Sequence, residues 1–218
     1  MRIQPVDPTT APPEVAAILE GATTLLGRTP RSFSVMANTP MVARWMLAFV
    51  ASIHRQGAGS ILDGATKNLA TLKVATLMGS FYSAGHNKEY GREFGMTDEK
   101  YEALQGDYMA SDLLDDREKA VLAWAEAVTA NTARDDDAAF ERLKQHFTDE
   151  EITELTLVIC HFNGINRFTG SLKLELEPKG EVARIRSTRD LPIEAVEAYV
   201  RDVCDAREAA AAAAEAAG

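Results

Sequence analysis

Nowhere in the 218 residues is there a run of alternating β-branched residues bounded by turn signals, while helix-start and helix-stop signals recur throughout. That pairing argues against a sheet and predicts an all-α chain. Pro40 stands where a first-turn proline opens a helix, expected to run to about Gln56. Asp115 with Glu118, and Thr148 with Glu151, have the spacing of a capping box, in which the two residues satisfy each other's backbone N–H. The first predicts a helix to Ala130 and the second a helix to about Phe168. Thr97 caps another, and Asp135–Asp137 starts one that ends near Phe147.

The remaining elements follow from breaks and periodicity. Pro5, Pro8, Pro12 and Pro13 mark an extended arm leading into a helix over Glu14–Leu26, and a short helix covers Arg31–Ala37. A long helix is expected from about Ile61 to Met78, with Leu69, Leu72, Leu77 and Met78 spaced for one apolar face. After Gly79, "SAGHNKEYGREF" reads as helix up to Gly95, a C-cap glycine. "PKGEVARIRSTRDLP" reads as a linker. Leu191–Ala217 reads as an amphipathic helix whose segment to Arg207 could dock on a neighbouring subunit, and whose last ten, alanine-rich residues are expected to fray. The expected division is a helical domain over 1–178 and a linker plus C-terminal helical extension over 179–218.

Composition narrows the function. Hydrophobic residues make up 46%, enough for a core without a disulfide or metal staple. A net charge of −10 argues against nucleic acid and anionic membrane surfaces, both of which call for clustered Lys and Arg. The N-terminus lacks the apolar core of a signal peptide, and no apolar run approaches the roughly 18 to 20 residues that span a bilayer. The cytosol is therefore the expected location. The two cysteines, Cys160 and Cys204, have neither metal-type spacing nor a CxxC pattern and read as reduced thiols, Cys160 as buried in a helix. Phosphate loops and dinucleotide fingerprints are absent, so no cofactor is expected. A metal site from His86, Glu89 and His161 lacks any HExxH or carboxylate-rich pattern in support, and none is expected.

The chemistry concentrates in "GSFYSAGHNKEYGREFG", Gly79 to Gly95. On a helix Ser83 neighbours His86 and Asn87, and Tyr82 lies one turn before His86. Histidine titrates near 6.5, which makes His86 the group suited to proton transfer at neutral pH. Tyr82 and Ser83 could hold a developing oxyanion, and Asn87 or Asn68 could orient the substrate or the imidazole. Each has a bland alternative. Ser80 and Ser83 could be small residues where two helices approach, Tyr82 a core aromatic, and His86 a satisfied structural residue. His161 lies seven residues after Glu154 on one helix face, so Glu154 could orient it; the alternative is a helix-interface histidine. His54 and His146 have no context above that of surface or boundary residues.

"LGRTPRSFSVMANTPMVARWMLAF", "MGSFYSAGHNKEYGREFGMTDEKYEAL", "DDREKAVLAWAEAVT" and "FTDEEITELTLVICHFNGINRF" together resemble the carboxymuconolactone decarboxylase and alkylhydroperoxidase D superfamily over roughly residues 20 to 177. The resemblance implies an alkylhydroperoxidase D-like helical domain assembled as a homo-oligomer (dimer, trimer or hexamer). Its peroxidase branch uses Cys-x-x-Cys, a histidine four residues on and a glutamate about twelve residues upstream. Those positions fall here on Ser80, Ser83, Asn87 and, approximately, Asn68, and a serine hydroxyl neither ionises near pH 7 nor cycles through a disulfide. Thiol peroxidase activity is excluded on chemistry. A thiol-free branch, roughly Gly-Ser-x-Tyr-x-x-Gly-His-His, matches at Gly79, Ser80, Tyr82, Gly85 and His86, with Asn87 replacing the second histidine.

The reading that results is a cofactor-free lyase or decarboxylase acting by proton transfer on a small organic acid, lactone or aromatic compound. His86, Tyr82 and Ser83 are the candidate catalytic residues, and Ser80, Asn87, Asn68 and His161 the candidate substrate-binding residues. A hydrolase or isomerase using the same site, and a non-catalytic binding or assembly scaffold, are the alternatives. Phe81, Trp45, Met46 or Phe162 could line a pocket for an aromatic substrate.

Overall fold

The computed structural model describes residues 1–217. It is 71% helical with no strand among the described residues, so the all-α expectation holds. Contacts divide the chain at Ser60 and Leu172: Met1–Ser60 clusters with the chain from Leu172 onward, and Ile61–Ser171 forms the second unit.

The first unit contains α1 (Pro13–Leu26), α2 (Arg31–Met36), α3 (Pro40–His54), α10 (Lys179–Val182) and α11 (Ile193–Ala217). Pro13 and Pro40 each occupy a first-turn position, as their fixed φ favours. The amphipathic C-terminal helix packs on α1 and α3 of its own chain, burying Val196, Tyr199 and Val203, and Tyr199 donates its hydroxyl to the Arg44 carbonyl oxygen at 3.1 Å. These residues of its apolar face are thus buried within its own unit. Gly218, the last of the ten residues expected to fray, lies outside the described residues.

The segment read as a linker is ordered instead. It forms α10 and a 3₁₀ helix over Ala183–Thr188, with Val182 and Thr188 buried. Its anchors are distant in sequence. Glu177 accepts the Arg31 backbone N–H at 2.6 Å, and the Arg31 guanidinium donates to the carbonyl oxygens of Glu175 and Leu176. Charged local composition conceals such partners.

The second unit comprises α4 (Gly64–Leu77), α5 (Phe81–Gly91), α6 (Asp98–Gln105), α7 (Asp116–Ala130), α8 (Asp137–Lys144) and α9 (Asp149–Ser171). Both capping boxes form: Asp115 with Glu118, and Thr148 with Glu151. Thr97 caps α6 by accepting the Lys100 N–H. The hydrophobic core joins Leu69, Leu72 and Val74 of α4 to Val121 and Leu122 of α7 and Leu155 and Ile159 of α9. Contacts with α5, α6, α7 and α9 surround α4, and every residue from Thr66 to Ala75 is buried. The single apolar face expected there is therefore wrong: the helix is enclosed on all sides, while Leu77, placed on that face, is exposed. Among the described residues no helix is long and apolar enough to cross a membrane.

Between α4 and α5 the chain reverses at Gly79, whose φ of 61° is the left-handed conformation that glycine adopts without strain. Helix α5 then returns along α4 and comes closest at Gly91. A Cβ there would collide with Asn68 Oδ1 and lie 3.0 Å from Met96 Cβ. Overpacking of this kind costs about 1–3 kcal/mol, while Gly to Ala in a helix returns at most about 1 kcal/mol. Gly91→Ala is expected to lower stability in urea denaturation; a gain would mean that the Asn68 amide moves aside freely.

Candidate functional site

Helix α5 places the motif. Ser80 is its N-cap, its side chain accepting the Ser83 N–H at 3.4 Å. Tyr82 and His86, four residues apart, fall on one face, both buried, and their rings meet edge-on at 4.4 Å with an interplanar angle of 88°. Ser83 is buried one turn before Asn87. Asn87 donates its amide to the Ser83 carbonyl oxygen at 2.9 Å, and its Oδ1 lies 3.0 Å from the Thr71 hydroxyl. Asn68 of α4 donates its amide to the Asn87 carbonyl oxygen at 2.8 Å.

The structure thus gathers Ser80, Tyr82, Ser83, His86 and Asn87 on one short helix and joins Asn68 to them. It also adds Thr71, which the sequence reading missed. The Thr71 hydroxyl reaches both the Asn68 carbonyl oxygen and Asn87 Oδ1, a position that its spacing of three from Asn68 on a helix could have signalled. The asparagines mainly bind α4 to α5. Asn68 Oδ1 is a buried acceptor that takes no hydrogen bond from a described residue and packs against Gly91. The acid–base capacity of α5 rests on His86, with the Tyr82 phenol beside it.

His161 lies on α9, which packs against α4 and α5, and meets Phe162 edge-on at 5.8 Å. Glu154 does not serve as its orienting carboxylate. Its two oxygens accept the backbone N–H groups of Ile61 and Leu62, and Oε1 stands 3.9 Å from the buried Lys67 ammonium. Burial pushes the His161 imidazole down to about 4.

Three further expectations change. Cys160 is exposed, on the outward side of α9, where it lines a groove of about 530 Å³ with Trp124, Phe140 and Leu157. Phe81 is 90% exposed, and His54, read as a surface or boundary residue, is buried. Asn163 donates its amide to the Thr129 hydroxyl of α7 at 3.0 Å and to the Ile159 carbonyl oxygen at 3.1 Å, and Arg167 donates to the Asn163 carbonyl oxygen and side chain at 3.1 and 3.2 Å. Among the described residues no three His, Cys, Asp or Glu side chains gather as metal ligands.

No family model matches the chain. An uncharacterised protein of Bacillus subtilis (strain 168), YdfG, is 24% identical over 111 residues, half of this chain and 75% of that protein. Among solved structures, the apo form of the debrominase Bmp8 superposes with a TM-score of 0.66 at 19% identity, covering 92% of this chain and 97% of that one. A cysteine-to-alanine variant of the same debrominase in complex with 2,3,4-tribromopyrrole gives 0.67 at 21% identity, over 86% and 95%. An alkylhydroperoxidase AhpD core, a peroxidase-related protein of Ralstonia eutropha JMP134, gives 0.67 at 16% identity, over 88% and 97%. The chain shares the all-α fold of these alkylhydroperoxidase D-like structures.

The depressed His161 sets an acid limit on stability. In the unfolded chain the imidazole takes up a proton near 6.5, whereas the folded protein stays neutral until about 4. Over that window the unfolded state binds more protons, so stability falls as pH falls, by at most about 3 kcal/mol once pH is below 4. Thermal melts from pH 7 to 4.5 should show His161→Gln losing less stability on acidification than wild type. Parallel curves would overturn the assignment.

Proposed function

We propose a cytosolic, cofactor-free enzyme of the lyase or decarboxylase type, acting by proton transfer on a small organic acid, lactone or aromatic ring compound. The observation that carries the reading is the buried His86 imidazole held edge-on to Tyr82, on a helix with serines at both thiol positions. Loss of carbon dioxide leaves an electron pair on carbon that must be protonated, and His86 is the group to deliver that proton, with Tyr82 and Ser83 facing the developing anion. The tribromopyrrole complex of the debrominase supports a small ring as the substrate class.

A specific observation favours a second reading, a non-catalytic scaffold. Ser80, Asn87 and the Asn68 amide are all engaged in capping α5 or holding it to α4.

Untargeted mass spectrometry of a metabolite extract incubated with wild type or His86→Gln separates these readings. A compound consumed by wild type and released lighter by carbon dioxide is expected, with turnover falling about 10²–10⁴-fold in the variant and melting temperature little changed. Gain of water would indicate a hydrolase, unchanged mass an isomerase, and no difference between the two proteins the scaffold.

The same reading includes self-association. Met41, Val42 and Trp45 are each more than half exposed along α3, an apolar run that a second copy would cover. Sedimentation at micromolar concentration should give the mass of a dimer, trimer or hexamer; a clean monomer would remove this part of the proposal.

A further inference from the structure

Away from α5, a cleft of about 330 Å³ opens between α7 and α8, lined by Tyr108, Glu126, Thr132, Asp136 and Arg142 among others. The volume is at the lower end of the range for small-molecule sites. Its floor is built from charge. Glu126 Oε2 accepts the Tyr108 hydroxyl at 2.7 Å and stands 3.7 Å from the ammonium of Lys73, a buried residue of α4. That ammonium also sits 4.2 Å above the Tyr108 ring. Both contacts fall on one oxygen and fix the carboxylate in place, leaving Oε1 without a hydrogen bond from any described residue.

Across the same cleft Arg142 carries the complementary charge. Among the described residues its guanidinium forms no ion pair and meets the Met109 sulfur at 3.9 Å. Glu126 and Asp136 line the cleft with it, yet neither comes within ion-pair distance of it. Asp136 is occupied at Oδ1 by the Ala139 N–H as the cap of α8. Opposite charges that face one cavity without meeting leave room for a molecule that carries both.

We propose that this cleft binds a small zwitterion of the free α-amino acid class, with its ammonium on Glu126 Oε1 and its carboxylate on the Arg142 fork. Arginine suits the second task, because its planar donors match a carboxylate in pairs. Lys73 and Tyr108 are positioning residues that hold Glu126 for the ligand. The site is independent of the α5 reading, and either can fail alone.

Titration calorimetry of the full chain with L-alanine, propionate and ethylamine tests it, the last two each lacking one of alanine's charged groups. Alanine should bind at least about tenfold tighter than either, the order expected for one charge-assisted contact. Arg142→Gln should weaken alanine to the level of ethylamine while leaving ethylamine unchanged. Glu126→Gln should weaken alanine to the level of propionate. Because Glu126 also holds Tyr108 and Lys73, its variant is read only if circular dichroism matches wild type, whereas the half-buried Arg142 stands outside that cluster. Alanine binding no tighter than its fragments, unaltered alanine binding by Arg142→Gln, or no binding at millimolar concentration would overturn the proposal.

Discussion

A helix enclosed on every side cannot be amphipathic, and each polar side chain along it needs a partner from another element. Helix α4 is in that position from Thr66 to Ala75. Asn68 and Thr71 find theirs in Asn87 of α5, Lys67 in Glu154 of α9, and Lys73 in Glu126 of α7. Helices α5, α7 and α9 thus answer different polar residues of α4, and a slip of register would leave a buried amide or ammonium without its partner. Breaking a buried pair is far more costly than an isolated surface contact is stabilising. The polar residues of α4 therefore specify which helix lies where, while Leu69, Leu72 and Val74 supply the apolar burial.

The same arrangement divides the motif helix into two kinds of residue. Ser80, Asn87 and Asn68 are drawn into capping and helix–helix contact, and the asparagine at the relay-histidine position is a clamp whose hydrogen bonds reach Thr71 and Ser83. His86 and Tyr82 meet ring against ring on the same helix. Ser80 and Ser83 offer no redox thiol, and the buried His86 imidazole is the group on α5 whose ordinary titration range lies near neutral pH.

How much of this was legible in the sequence depended on how local the signal was. Asp115, Thr148 and Thr97 act on backbone N–H groups three residues away, and each caps the helix that its spacing predicted. The motif residues were found by spacing along α5, and the all-α fold by the absence of strand periodicity. What escaped depended on distant partners. Enclosure of α4 needs four other helices, order in the stretch after Pro178 needs Arg31 and the α1–α3 packing, and the destination of the Glu154 carboxylate was the loop before α4 rather than a histidine on its own helix. Cys160 was misplaced because α9 is only partly covered, and an apolar neighbourhood in sequence does not say which face of a long helix is covered.

The first unit is assembled from both ends of the chain, whereas the second is one continuous segment, Ile61–Ser171. On the ribosome, α4 through α9 can collapse as soon as they have emerged. Helices α1 and α3, by contrast, have no α11 to pack against until the chain beyond the second unit has been translated, since Val196, Tyr199 and Val203 follow that unit in sequence. Residues 1–60 are thus completed only after the intervening unit has been made, and the apolar surfaces that α11 covers wait for the time it takes to synthesise everything between them.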